Sequence, residues 1–75
     1  MNKIINNKKF SSRLKNIIEM HGLTQREFAK SIGFTESAIS KYLSGQRNPT
    51  LNLLCSIALK YDVSIDYLLD LKGGK

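Results

Sequence analysis

The sequence has very little of several residue types that particular protein classes need. It contains one cysteine in 75 residues, which excludes an intramolecular disulfide and a cysteine-based zinc cluster. One histidine and six scattered acidic residues are too few to build a catalytic constellation. A single cysteine also favours a reducing, cytoplasmic setting. We therefore expect no enzyme, no catalytic residue, no metal and no cofactor.

Long apolar runs and strand patterns are also missing. No apolar run approaches the roughly 20 residues of a membrane span, and the first six residues lack the apolar core of a secretory signal. The chain has one valine and no sustained alternation of apolar and polar residues, so strands are not expected. With 41% apolar residues, the sequence predicts one small globular domain built from helices.

Positive charge is what the chain has in excess. Twelve Lys and Arg residues oppose six Asp and Glu residues, which gives a net charge of +6. Residues 1–50 contain nine of these bases and three of the acids, whereas residues 51–75 contain three of each. This asymmetry favours a polyanionic partner, either nucleic acid or an anionic membrane, for the first two thirds of the chain.

Five segments show the apolar spacing of an amphipathic helix. The first places Phe10, Leu14, Ile17 and Ile18 on one face. The other four each follow a hydroxyl residue that can cap a helix N-terminus, namely Thr24, Thr35, Thr50 and Ser64. Glycines suited to the end of a helix follow the first three segments, at positions 22, 33 and 45.

The second and third helices are short and separated by only two or three residues. Thr24 and Glu27 match a capping box, in which each side chain bonds the other residue's backbone N–H. Helices joined so tightly must cross steeply, as in a helix-turn-helix at about residues 24–43. Ala29 allows close approach of the helices, Gly33 allows the positive φ of the turn, and Ile39 packs across the elbow.

The residues in this region resemble the Cro/cI-like (phage-repressor-type, XRE) helix-turn-helix family. The resemblance rests on the stretches Leu23–Gly33 and Thr35–Gly45, and on similar flanks at Arg13–Lys15, Arg47–Pro49 and Ser64–Leu69. It covers about residues 8–70 and implies an all-α, five-helix, lambda-repressor-like DNA-binding domain. We accordingly expect a flexible N-terminal arm at 1–7, the domain at 8–71 and a flexible tail at 72–75.

The resemblance also implies which residues read base pairs. In this family the third helix enters the major groove, and its matching outward positions are Glu36, Ser37, Ser40 and Lys41. Lys41 has the chemistry to donate to guanine or to a phosphate, while the serines suit either target. Glu36 would accept from cytosine or adenine, or would only favour the helix dipole as an acid in the first turn.

The positions assigned to phosphate contacts flank that helix: Gln25, Thr35, Arg47 and Asn48. Gln25 opens the second helix, whose free N–H groups suit an anion. Asn48 also has a purely structural interpretation as a turn residue before Pro49. Lys8, Lys9 and Arg13 either extend the basic face or only keep the first helix soluble.

Apolar residues in the C-terminal third exceed what one helix face needs. Leu51, Leu53, Cys55 and Leu59 flank the inward stripe of the fourth helix, and Tyr67 and Leu71 follow in or after the fifth. We expect the surface formed by Leu51, Cys55, Leu59, Tyr67 and Leu71 to pair two copies of the chain on DNA. Ordinary core packing with scattered exposed leucines is the alternative, and Cys55 alone is typical of a small core residue.

The function expected from this reasoning is a cytoplasmic, bacterial or phage transcriptional regulator that binds double-stranded DNA. A homodimeric repressor at a pseudo-palindromic operator is the leading hypothesis. One alternative is an antitoxin that represses its own operon and binds a toxin. Others are a protein-interaction module that no longer reads DNA, and a basic amphipathic segment at residues 3–18 on a membrane, for which the core would have to release Phe10 and Leu14.

Overall fold

This computed structural model describes residues 7–70. The described residues contain five α-helices joined by short turns and loops. They are α1 (Asn7–Met20), α2 (Gln25–Ser31), α3 (Glu36–Leu43), α4 (Leu51–Tyr61) and α5 (Ile65–Leu69). No strand occurs in this range, so the predicted all-α, five-helix fold is confirmed. α1 begins at Asn7, the last residue of the predicted arm, while residues 1–6 and the predicted tail lie outside the described range.

The helix starts follow the predicted caps. The hydroxyl oxygens of Thr24, Thr35, Thr50 and Ser64 each accept a hydrogen bond from a backbone N–H in the first turn, at 3.0–3.1 Å. At α2 the capping box is complete, because the Thr24 N–H also donates to Oε1 of Glu27 at 2.9 Å. Each cap satisfies one of the donors that a helix N-terminus leaves without a partner.

The core lies where α1 packs against α3 and α5, with α2 and α4 closing its sides. α1 contributes its predicted face, and Phe10 and Leu14 are fully buried. One expectation was wrong: Leu53, predicted to flank the inward stripe of α4, is also fully buried. The buried residues of α4 are Leu53, Leu54 and Ile57. The buried face of α4 is therefore wider than a single stripe in the first half of the helix.

The connection between α2 and α3 is a tight reversal. Ile32 is the C-cap of α2 and Thr35 is the N-cap of α3, so only Gly33 and Phe34 lie between them. Gly33 has φ +77°, a conformation that a side chain disfavours. The Phe34 N–H donates to the Ala29 carbonyl at 2.9 Å, which satisfies one of the last carbonyls of α2.

Small and branched side chains fill the elbow that this turn creates. Ala29 of α2 is 1% exposed and Ile39 of α3 is fully buried, and both belong to the central cluster. Ile32 is half-buried against the same cluster. The elbow therefore fixes the direction of α3 relative to α2 through packed side chains as well as through the turn.

Candidate nucleic-acid interface

The side of α3 that faces away from the core is polar. On the inner side, Ile39 is fully buried and Tyr42 is 3% exposed. The four residues predicted to read bases are all exposed: Glu36, Ser37, Ser40 and Lys41. With 3.6 residues per turn, these four positions share one face of the helix. The structure thus brings hydroxyl, ammonium and carboxylate groups together on one solvent-facing surface.

The N-terminal end of this surface contains an acid and a hydroxyl. Thr35 is the N-cap of α3, and its Oγ1 accepts the Ala38 N–H at 3.1 Å. This leaves the hydroxyl proton of Thr35 for an outside acceptor such as a phosphate oxygen. Glu36 lies in the first turn, where the helix dipole favours its carboxylate.

Gln25 lies where three helices meet. It is the first residue of α2 and is half-buried in a shallow groove. Lys15 and Glu19 of α1 and Leu43 of α3 line the same groove. Gln25 is therefore held at the base of the helix-turn-helix, next to the helix N-terminus where backbone N–H groups favour an anion.

The C-terminal end of α3 leads directly to Arg47. Gly45 has φ +80°, and its N–H donates to the Tyr42 carbonyl at 3.2 Å. The chain then turns so that the Arg47 guanidinium lies over the Tyr42 ring, 5.9 Å from the ring centroid. Arg47 and Asn48 are exposed, whereas Pro49 is buried and anchors the far end of the loop. Lys41 and Arg47 therefore give this end of the surface its positive charge.

Sequence reasoning missed the contacts between α1 and the end of α3. The Ser11 hydroxyl donates to the Tyr42 carbonyl at 2.7 Å, although the two residues are 31 positions apart. The Phe10 ring meets the Tyr42 ring edge-on, with centroids 6.2 Å apart. No sequence signal points to Ser11, because a serine on the half-buried side of a helix is compatible with many partners.

A second cluster missed from the sequence joins α1 to the residue after α5. Asp70 pairs with Lys9 at 2.9 Å and also with Arg13. Hydrogen bonds from Lys9 and then from Arg13 lower the pKa of the Asp70 carboxyl below its usual range. The hydrogen bond to Asp70 in turn raises the pKa of Arg13, whose guanidinium lies 4.7 Å from the centroid of the Tyr67 ring. Lys9 and Arg13 thus have a structural role that neither sequence hypothesis included.

The surface predicted to pair two copies is only partly apolar in the structure. Leu51 is 70% exposed and Leu59 is 86% exposed, with half-buried Cys55 midway between them on α4. Tyr67 is half-buried, and its ring is covered by the Arg13 guanidinium. Leu71 lies outside the described residues. The continuous part of this surface is therefore the stripe formed by Leu51, Cys55 and Leu59.

Residues 7–70 present no group of three or more His, Cys, Asp or Glu side chains placed to hold a metal ion. In the same range, every helix is too short or too polar to cross a membrane. The only histidine of the chain instead makes a local contact, with its Nδ1 2.9 Å from the Ile17 carbonyl at the end of α1.

Comparison with known proteins places these features in a family. A family model described as helix-turn-helix matches residues 14–68. An uncharacterised HTH-type transcriptional regulator of Bacillus subtilis, YobD, is 36% identical over 62 residues, which are 83% of this chain and 55% of YobD. The antitoxin PezA of Streptococcus pneumoniae is 33% identical over 51 residues, 68% of this chain and 32% of PezA.

A solved structure agrees with the sequence matches. The restriction-modification controller protein C.AhdI of Aeromonas hydrophila has a TM-score of 0.75 and 29% identity, covering 83% of this chain and 94% of that one. The chain spans about half the length of YobD, so the likeness to YobD concerns the helix-turn-helix part. The chain belongs to the XRE-type (Cro/cI-like) helix-turn-helix family of transcriptional regulators, which are DNA-binding proteins.

Proposed function

We propose that this chain is a cytoplasmic, sequence-specific repressor that binds a pseudo-palindromic operator in double-stranded DNA. The observation that supports this most strongly is the outward face of α3, where four exposed polar residues share one side of a helix held by a packed elbow. An α-helix fits the major groove, where each base pair presents a distinct pattern of donors and acceptors.

Base reading in this proposal is the task of Ser37, Ser40 and Lys41, with Glu36 at the edge. Lys41 donates to guanine O6 and N7, and the serine hydroxyls donate or accept according to the base they meet. Glu36 accepts from cytosine N4 or adenine N6, and repels the polyanion wherever no such donor faces it. The carboxylate therefore acts partly by rejecting wrong sequences.

Phosphate binding in this proposal surrounds the base-reading face. Gln25 and Thr35 donate to phosphates near the N-terminal ends of α2 and α3, and Arg47 and Asn48 do so after α3. Contacts at both ends of α3 would fix its register in the groove. They would add affinity on every sequence, because phosphates carry no base information.

Selection of bound sequences from random duplex DNA tests the proposal, followed by two alanine variants on the selected site. Lys41→Ala should cost about 1–3 kcal/mol at one base-pair position and relax the preference there. Arg47→Ala should weaken binding equally on all sequences and reduce the salt slope by about one unit. Equal loss on all sequences for Lys41→Ala would make it a phosphate contact. Absence of any duplex binding at about 50 mM salt would favour the protein-interaction module instead.

A homodimer on DNA completes the proposed function. Leu51 and Leu59 lie four residues before and after Cys55, so the exposed stripe of α4 reads the same in both directions. A two-fold axis near Cys55 would match each leucine with the other leucine of the partner copy, as an isologous interface requires. Such pairing would place the two α3 helices about 34 Å apart, one turn of DNA.

Replacement of one leucine tests this dimer. Leu59→Ser should abolish cooperative occupation of two half-sites while leaving binding to a single half-site unchanged. Met20→Ser is the matched control, because Met20 is also exposed (76%) but lies on α1 and is not one of the three residues of the stripe. Equal cooperativity of the two variants in a titration of full and half operators would exclude the α4 surface.

The similarity to PezA favours one second candidate, a regulator that also neutralises a toxin. The likeness covers only 32% of PezA, so it concerns the helix-turn-helix part of that antitoxin. Deletion of the gene in its host separates the two candidates. Loss of a repressor alone changes transcription, whereas loss of an antitoxin stops growth until the toxin gene is also removed.

A further inference from the structure

The last turn of α3 is tied to α1 by side-chain hydrogen bonds. The final carbonyls of a helix have no partner within the helix. The Tyr42 carbonyl accepts the Gly45 N–H at 3.2 Å and the Ser11 hydroxyl at 2.7 Å, so both of its lone pairs are used. Nδ2 of Asn7 donates to the Gly45 carbonyl at 3.5 Å. Two polar side chains of α1 therefore hold the end of α3.

The Ser11 hydroxyl has a local alternative. It lies 2.8 Å from the carbonyl of Asn7, four residues earlier on the same helix. A hydroxyl has one proton, so the Asn7 and Tyr42 carbonyls share it. The bond to Tyr42 is the shorter of the two and the only one that crosses from α1 to α3.

Tyr42 is also the residue on which the end of the interface is organised. Its ring meets the buried Phe10 ring edge-on at 6.2 Å, which fixes the inner side of α3 against α1. Lys41 precedes Tyr42 directly, and the Arg47 guanidinium lies over the Tyr42 ring. A movement of Tyr42 would therefore displace the two cations at this end of the surface together.

We infer that Ser11 is a positioning residue for DNA binding. In this role Ser11 does not contact DNA. Its hydrogen bond holds the Tyr42 carbonyl, so that the last turn of α3 keeps its orientation relative to the first turn. Lys41 and Arg47 then meet base edge and phosphate in one register. This inference rests on the proposed function, because it gives Ser11 a role in the same interface.

The first test concerns the free protein and compares Ser11→Ala with Ser12→Ala. Ser12 is the neighbouring, exposed serine of α1, so both changes raise helix propensity alike and only the first removes the bond to Tyr42. Amide hydrogen exchange at Ser44, Gly45 and Gln46 should become about fivefold faster in Ser11→Ala than in Ser12→Ala, since one net hydrogen bond is lost. Equal rates in the two variants would overturn the inference.

The second test uses the selected duplex at a temperature well below unfolding. Ser11→Ala should bind more weakly than Ser12→Ala, by at most about fivefold, because binding falls only as far as the population of the ordered last turn falls. Its loss should be less than additive with Arg47→Ala, because both act at the same end of α3, and additive with Ser37→Ala in the first turn of α3. A general loss of stability would couple to both variants alike. Ser11→Thr, which keeps the hydroxyl, should restore binding.

The outcomes separate this inference from the proposed function. If the wild-type chain binds no duplex, the proposed function fails and Ser11 has no DNA to position α3 against. If the wild-type chain binds and Ser11→Ala matches Ser12→Ala on the same duplex, only the inference about Ser11 fails. Equal coupling of Ser11→Ala to Arg47→Ala and to Ser37→Ala would also overturn it.

Discussion

Replacement of Gly33 by L-alanine should destabilise the domain through its backbone alone. Gly33 has φ +77°, where an L-residue costs about 1–2 kcal/mol. A Cβ built at this position would meet no heavy atom within 4 Å outside its chain neighbours, so no steric clash adds to that cost. In a domain of this size, each kcal/mol lowers the melting temperature by about 4–8 °C. Thermal unfolding followed by circular dichroism should therefore show a decrease of about 4–16 °C.

D-Alanine at position 33 is the matched control, because it adds the same methyl group with the opposite backbone preference. Chemical synthesis makes both chains accessible. D-Alanine prefers positive φ and restricts the unfolded chain, so it should stabilise the fold by about 0.4–1 kcal/mol. Equal melting temperatures for the two chains would refute the positive φ of the turn. A decrease well beyond about 16 °C for the L-alanine chain would refute the open space around its Cβ.

Three further predictions concern helix ends, charge and packing. Thr24→Ala removes the acceptor for the Glu27 N–H and should lower the free energy of unfolding by about 1 kcal/mol, while Thr24→Ser should not. Because the pKa of Asp70 is lowered in the folded state, its contribution to stability is complete above about pH 4 and is lost as pH falls through the folded-state pKa. Asp70→Asn should therefore reduce the loss of stability at acidic pH when the free energy of unfolding is measured against pH. An unchanged loss at acidic pH would contradict the pairing of Asp70 with Lys9 and Arg13. Ile39→Val should cost about 0.5–1.5 kcal/mol in a denaturant titration, because Ile39 is fully buried at the elbow, and a neutral result would place it outside the core.

The helix boundaries could be predicted because local chemistry determines them. A Ser or Thr directly before a segment with helical apolar spacing marks the start of a helix. At Thr24 and Thr35 the capping hydrogen bonds are found where the sequence predicts them. A glycine after the period marks an end, as at Gly33. The polar face of α3 could be predicted from the apolar spacing too. The apolar positions of a short helix show which side faces the core, and the opposite side then faces solvent.

The contacts between helices could not be predicted because they join residues that are far apart in the sequence, and no local pattern specifies such pairs. Ser11 and Tyr42 are 31 residues apart, and Arg13 and Asp70 are 57 apart. Leu53 was misplaced for a related reason. Helical periodicity gives the direction of a face, but the width of that face depends on how many neighbours cover the helix.

Four of the twelve basic residues divide between two tasks. Lys9 and Arg13 face Asp70, and there they join α1 to the end of α5. Lys41 and Arg47 lie exposed beside the outward face of α3, where an anion can approach. Net charge alone predicts attraction to any polyanion, and it does not separate these pairs. The fold distinguishes the two pairs. A Lys or Arg side chain that has no carboxylate close by contributes more to the positive potential of the α3 surface than one that is paired. A lone acid, Glu36, lies at the opposite end of that face, and in the proposed complex it makes the attraction depend on which nucleobase it meets.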